Sequence, residues 1–149
     1  MVDASSFTIQ KATWRDFNQL RKLDDICFGE DAWPLWDLGA VLILPKIIRL
    51  KAMVGEDLAG FIAGDPNDSE KVGWIAILGV LPEYRRRGIA ETLLAECERG
   101  FRFERLRLSV RKSNDAAIRL YRKAGYHNVD LWRNYYNSGE DALVLEKRR

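Results

Sequence analysis

Histidine occurs once in the 149 residues, at His127, and cysteine twice, at Cys27 and Cys97. So few soft ligands leave no zinc spacing, and two cysteines so far apart make no disulfide framework. Both read as buried thiols, and His127, just past a helix stop, reads as a surface residue. No apolar stretch reaches 18 residues, which removes a membrane-spanning helix. The N-terminus "MVDASSFTIQ" lacks the basic and apolar regions of a signal peptide, so a cytoplasmic location is expected. Neither G-x-x-x-x-G-K-[ST] nor G-x-G-x-x-G occurs, so the P-loop and dinucleotide fingerprints are missing. No repeat, low-complexity tract or linker breaks the chain. With 47% hydrophobic residues, residues 1–149 are expected to form one domain with a sizeable core.

What is present is charge, unevenly placed. Residues 1–84 hold 8 basic and 13 acidic side chains, residues 85–125 hold 12 and 5, and residues 126–149 hold 4 and 4. The middle segment therefore carries +7 within a chain whose net charge is +2. Such a band attracts phosphate, on a nucleic acid or on a cofactor; a solvated basic face is the plainer alternative. Its leading edge is "VLPEYRRRGIAETLLAECERG" (80–100), three arginines and a glycine where a helix opens. A helix N-terminus is itself positive and favours anions, so cations crowded there imply a strongly anionic neighbour.

Periodicity orders the rest of the chain. "FTIQKA" (7–12) reads as a strand, and Thr13 caps a helix carrying Phe17, Leu20, Leu23 and Ile26 at helical spacing. The Trp- and Pro-containing loop "CFGEDAWPLW" follows, then a short helix to about Leu44, broken at Pro45. Two strands joined at "GED", a hairpin turn at "PNDSEK" (66–71) and a buried strand at 72–81 come next. Ile89, Leu93, Leu94, Cys97 and Phe101 make one apolar helical face. "RLRLSV" (105–110) alternates as a strand, and "SNDAAIRLYRKAGY" (113–126) is a helix capped by Ser113 or Asn114 and stopped at Gly125. Two last strands flank "YYNSGED". A strand feeding a helix N-terminus through the Arg85–Ala90 turn is where an α/β domain binds phosphate.

Arg85, Gly88 and Ala90 spell R-x-x-G-x-A, preceded by "LGVLPEY" and followed by "SNDAAIRLYRKAGY" with Asn114 and Tyr121 in place. In these motifs and in element order over residues 7–147, the chain resembles the GNAT superfamily of acetyl-CoA-dependent N-acetyltransferases. The resemblance implies a single-domain α/β fold, a mixed, mostly antiparallel seven-stranded sheet flanked by about four helices. It implies acetyl-CoA as cosubstrate and no metal. Amides from Arg86 through Arg87, Gly88, Ile89 and Ala90 to about Glu91 would cradle the pyrophosphate, with arginine side chains supplying attraction. Leu78, Gly79 and Val80 would offer free backbone groups to the pantetheine arm and the thioester carbonyl, and Gly79 suggests a bulge. Asn114 would hold the cofactor, or serve only as a helix cap. Tyr121 would protonate the departing thiolate, its ordinary pKa near 10 matching a thiol; as a core aromatic it would do neither.

The segment "WRNYYNSGEDALVLEKR" (132–148) resembles the last hairpin of the protein N-terminal acetyltransferases, including the branch acting on ribosomal proteins. The resemblance implies that Tyr135 and Tyr136 close over the acceptor backbone and that Phe28 and Trp33 shape its first-residue pocket, unless these aromatics only pack. One departure stands out. Where such relatives carry Glu or His as base, this chain has Ser109, and a second base position is Trp74; neither accepts a proton near pH 7. Glu30 and Asp31 remain, and Glu30 is taken as the candidate base. A weak base favours an α-amine, with pKa about 7.7–8.0, over lysine at about 10.4. The expected activity is acetyl transfer to the α-amine of a protein or peptide by direct attack in a ternary complex, without membrane or nucleic acid partners. A small-molecule amine or a lysine as acceptor, and a non-catalytic acyl-CoA-binding regulator, are the alternatives.

Overall fold

Period-two and helical-period stretches come out as seven strands and four helices in the computed structural model, which describes residues 6–149. Residues 1–5, part of the stretch read for a signal peptide, lie outside the described residues. In chain order the elements are β1 Thr8–Lys11, α1 Phe17–Phe28, α2 Leu35–Ile43, β2 Ile48–Val54, β3 Asp57–Asn67, β4 Val72–Val80, α3 Ile89–Gly100, β5 Arg105–Arg111, α4 Asp115–Lys123, β6 His127–Trp132 and β7 Ala142–Arg148. Thr13 caps a 3-10 turn rather than α1 itself, in a capping box with Asp16, and that turn runs on into α1. Asp16 also pairs with Lys51 on β2 at 2.8 Å, pinning the start of α1 to the sheet. The turn expected at 66–71 is shorter, because β3 extends to Asn67.

The sheet order is β1-β2-β3-β4-β5-β7-β6, antiparallel throughout except for β4 and β5. One face carries α3 and α4, where Ile89, Leu93, Leu94 and Cys97 pack on Ile62, Leu106, Leu108 and Leu145. The other carries α1 and α2, where Leu20, Leu23, Leu38 and Leu42 pack on Leu58, Phe61 and Ile77. β3 is covered on both sides, which is why its sequence is apolar almost without alternation. The parallel pairing of β4 with β5 lasts only from Val72–Arg105 to Ile75–Leu108. Past that point both strands continue, to Val80 and Arg111, without pairing each other, and the middle of the sheet opens.

Phe101, just beyond α3, locks the closed end of that opening. Its ring lies over two glycines on neighbouring strands: a Cβ at Gly64 would come within 2.5 Å of Phe101 Cζ, and one at Gly73 within 2.6 Å of Cγ. Both contacts are too close for any side chain. Gly73→Ala is therefore expected to lower stability by about 1–3 kcal/mol, the usual cost of overpacking a core. Urea titration with an unchanged slope checks it.

Candidate active site

Where β4 and β5 part, β4 must find other partners for half its backbone. The Leu81 N–H bonds to the Ala59 carbonyl at 2.8 Å, and residues two apart in an antiparallel ladder share that sense. Gly79 therefore turns its backbone groups to β3, while Leu78 and Val80 turn theirs into the opening. Two expectations change. The bulge of β4 falls at Ala76, where Ala63 pairs with Ile77 and Gly64 with Ile75, and Gly79 stays in register with Phe61. Gly79 is glycine for another reason: a Cβ there would stand 3.1 Å from Leu23 Cδ2 and 3.3 Å from Cys27 Sγ on α1. The Val80 carbonyl is also taken, by Arg85 Nε at 2.9 Å and Cys27 Sγ at 3.4 Å. That leaves the Leu78 backbone and the Val80 N–H facing the gap.

The turn into α3 is wound the other way. Arg86 has φ +64° and Gly88, the N-cap, has φ +81°, both left-handed. Such backbone costs of order 1–3 kcal/mol at a non-glycine residue and persists where the surroundings impose it. No side chain caps α3, and the first helical bond runs from the Thr92 N–H to the Gly88 carbonyl. The amides of Ile89, Ala90 and Glu91 thus lack helical acceptors at the positive end of the dipole. They border a groove of about 500 Å³. Of the twelve residues the resemblance assigns to the cofactor, all but Arg87 line it. Arg87 instead stacks 5.3 Å over the Tyr84 ring and donates to the Glu83 carbonyl. With Arg85 turned back onto Val80, two of the three arginines hold the turn rather than extend from it. Cys27, expected to be buried, is half-buried and lines the groove; burial raises its thiol pKa, so it stays protonated and donates to Val80.

A second cavity, of about 150 Å³, adjoins the groove. Phe28, Trp33, Ser109, Tyr135 and Tyr136 line it, and the Ala76 bulge aims that residue into it. It continues into an outer cleft of about 490 Å³ between Trp33, Asp37, Asp65 and Tyr135. Tyr121 and Asn114 line both the groove and the small cavity, so the two spaces meet at Tyr121. Tyr121 is 7% exposed, and burial pushes its phenol well above the ordinary value. The match with a thiol is lost: Tyr121 is a firmly protonated donor. Asn114 caps α4, its Oδ1 accepting from the Ala117 N–H at 3.2 Å, which leaves its amide nitrogen for the groove.

The acidic candidates take different places. Glu30 is exposed and lines none of these three spaces; its carbonyl, not its carboxylate, is engaged, by Asn137 at 3.3 Å. Asp31, its neighbour, faces the small cavity but accepts from Arg111 at 2.7 Å and from the Ser138 N–H and hydroxyl at 2.9 and 3.0 Å. Ser109 accepts from the Tyr136 hydroxyl at 3.3 Å, and Trp74 stacks on Trp132 at 6.0 Å. Asp24, fully buried in α1, was not singled out from sequence: its Oδ2 accepts from the Trp33 N–H at 2.7 Å. Burial lifts its carboxyl to about 6, the Trp33 bond pulls it down and Asp25 adds to the rise. Its other oxygen has no partner among the described residues. Arg111 was missed as well, although it stands two places after Ser109 on the same face of β5. Among the described residues no cluster of three His, Cys, Asp or Glu side chains forms a metal site, and no helix is long and apolar enough to cross a membrane.

The model of the acetyltransferase (GNAT) family matches residues 12–126. The N-alpha-acetyltransferase RimI of Mycobacterium tuberculosis is 34% identical over 155 residues, 98% of this chain and 95% of that protein. Among solved structures, the ribosomal-protein-S18-alanine N-acetyltransferase from Escherichia coli superposes with a TM-score of 0.83 at 23% identity, covering 96% of this chain and 94% of that one. Arabidopsis thaliana NAA60 in complex with acetyl-CoA gives 0.82 at 21% identity, covering 96% and 98%.

Gly88 offers a direct test of the groove. Aspartate is among the residues that tolerate left-handed backbone, and a Cβ at Gly88 meets only Glu91 Oε2 at 3.5 Å, so Gly88→Asp should fold. It would set a carboxylate among the free amides. Acetyl-CoA affinity by calorimetry is expected to fall below detection while the melting temperature changes by a few degrees at most.

Proposed function

The chain belongs to the GNAT family of acetyltransferases, and from that premise we propose that it moves acetyl from acetyl-CoA to the N-terminal α-amine of a protein or peptide. The observation that carries this reading is the continuity of three spaces: groove and small cavity meet at Tyr121, and the small cavity shares Asp31, Trp33, Tyr135 and Tyr136 with the outer cleft. A small amine needs only the cavity; a chain that continues past its first residue needs the cleft beyond. The cavity, at about 150 Å³, suits a small first residue. The acceptor is a protein N-terminus, of which ribosomal proteins are one class, in keeping with the name of the Escherichia coli neighbour.

The amides of Gly88 to Glu91 bind the pyrophosphate, Asn114 steadies the cofactor, and the Leu78 backbone with the Val80 N–H holds the pantetheine arm and the thioester oxygen. Phe28 and Trp33 shape the first-residue pocket, and Tyr135 and Tyr136 close over the acceptor backbone. The amine nitrogen forms a bond to the acetyl carbonyl carbon, and the carbon–sulfur bond then breaks. Tyr121 donates a hydrogen bond to the departing sulfur. Its raised pKa makes full transfer from the phenol uphill, so Tyr121 keeps its proton and the one the attacking nitrogen loses ends on the sulfur, giving the neutral thiol. The carboxylate of Asp31 is spent on Arg111 and Ser138, and Glu30 lies outside the cavity. Ordered water therefore carries the amine's proton, which suits an α-amine: freeing a lysine near neutral pH costs about 3 kcal/mol more.

Release of CoA from acetyl-CoA decides the question, using a short peptide with a free α-amine, the same peptide Nα-blocked but containing lysine, and a small polyamine. Release with the first alone is expected. Release only with the second or third overturns the α-amine, and no release with any overturns catalysis. Tyr121→Phe is expected to lower kcat by roughly 10² to 10⁴, the range for losing a positioned proton donor, with acetyl-CoA affinity unchanged. Glu30→Gln, in contrast, should change kcat by less than about twofold across pH 6.5 to 9; a loss of about tenfold or more, the minimum for a general base, restores Glu30 to that role.

A further inference from the structure

One side chain reaches both walls of the small cavity, one directly and one through a single carboxylate. The first wall is the loop 28–33 after α1; the second is the β6–β7 connection, residues 133–141. Arg111 reaches the loop from β5 twice, with Nε 2.7 Å from Asp31 Oδ2 and an Nη2 that donates to the Phe28 carbonyl. Asp31, its side chain only 3% exposed, then passes the constraint to the hairpin tip. It accepts from the Ser138 N–H at 2.9 Å on Oδ1 and from the Ser138 hydroxyl at 3.0 Å on Oδ2. Asn137 adds a bond to the Glu30 carbonyl at 3.3 Å. Segments 107 positions apart in the chain are thereby joined across the acceptor site.

We propose that Arg111 is a positioning residue, whose guanidinium fork, through Asp31 and Ser138, clasps the loop of Phe28 and Trp33 to the hairpin of Tyr135 and Tyr136 and so sets the width of the acceptor pocket. Each wall has a tie of its own, Trp33 to Asp24 on one and Tyr136 to Ser109 on the other, but across the pocket the only other bond among the described residues is that of Asn137 to the Glu30 carbonyl. The loop is a single 3-10 turn between two helices, and the hairpin tip projects beyond the last β6–β7 pair, Trp132–Ala142. A fork is needed because two acceptors, a carboxylate and a peptide carbonyl, must be met in one plane from one direction. Lysine at the same place keeps the charge but lacks the planar fork, so its ammonium cannot reproduce the paired geometry with which Arg111 meets the two acceptors. The Asp31 carboxylate would also lose its charge-assisted partner while still enclosed, so the loop would swing toward water. This role rests on the α-amine reading only for which acceptor feels the pocket, not for the clasp itself.

The test is Arg111→Lys in the full chain, read in two ways. Hydrogen–deuterium exchange should show loss of protection in residues 28–33 and 133–141 together, with α3 and β1–β3 unchanged. In steady state the acceptor KM should rise roughly tenfold or more, as a misplaced site demands, with kcat within about threefold and acetyl-CoA affinity unchanged. Preference among peptides differing only at residue one should narrow. Loosening confined to one wall, or to neither, overturns the clasp. Coupled loosening with an unchanged acceptor KM overturns the positioning role, as does an equal loss of acetyl-CoA affinity. Ser138→Ala, which leaves the fork and the Ser138 N–H bond in place and removes only the hydroxyl's bond to Asp31 Oδ2, should loosen the hairpin alone and by less than Arg111→Lys; if it loosens residues 28–33 as well, the fork does not hold that loop and the clasp is overturned. The exchange readout does not depend on which amine is the acceptor, so a wild-type enzyme that ignores peptides would count against the α-amine reading and not against the clasp.

Discussion

Everything at this site follows from two parallel strands that stop pairing four residues after they begin. Backbone amides and carbonyls inside a fold demand partners, and a strand opened on one side keeps presenting them. β4 continues past Ile75 with β3 as its neighbour on one side and a gap on the other. Part of the demand is met internally, since Arg85 and Cys27 close over the Val80 carbonyl. The remainder faces a groove that ends at the uncapped amides of α3. An extended ligand with amide groups along its length and phosphates at one end has the chemistry that both stretches call for. The Phe101 ring, seated on Gly64 and Gly73, marks the closed end of the same opening.

Charge inside the site is arranged to be unavailable for proton chemistry. Tyr121 and Tyr136 are pushed upward by burial, and so is Cys27, so all three remain neutral donors. Asp31 is bound on both oxygens, and Asp24 spends its one satisfied oxygen on the Trp33 amide. Asp31 is the one carboxylate lining the small cavity, and on the proposed reading a cavity so lined does not strip a proton from a strongly basic amine. It can hold a weakly basic one, already neutral in a useful fraction near pH 8. On the proposed reading Asp31 acts as a builder of the pocket, and selectivity for the acceptor comes from the pocket's shape and from the amine's own pKa.

The strain at the turn into α3 has the same logic. Arg86 and Gly88 are both left-handed within one short turn. Two reversals of the backbone within three residues swing successive amides toward one side, and the stacking of Arg87 on Tyr84 steadies the turn from outside.

Element order, the buried strand β4 and the glycine at the start of α3 were legible in the sequence, because each depends on spacing along one strand or helix; the aromatics lining the small cavity were legible only through the family resemblance. Side-chain alternation and left-handed turns are local properties, and local properties are written in local sequence. What only the tertiary structure decided is which of several equivalent residues points where. Glu30 and Asp31 are adjacent, yet in a 3-10 turn one step is a rotation of about 120°, which puts one carboxylate in water and the other against Arg111. Gly79 and Ala76 are both small residues on β4, but the approach of α1 accounts for the first and the register against β3 makes the second the bulge. Three consecutive arginines promised a uniform positive rim; the Val80 carbonyl and the Tyr84 ring claimed two of them. The joining of residue 31 to residue 138 left no trace in either segment, because a contact between distant parts of a chain is set by the packing that brings them together and not by the composition of either part.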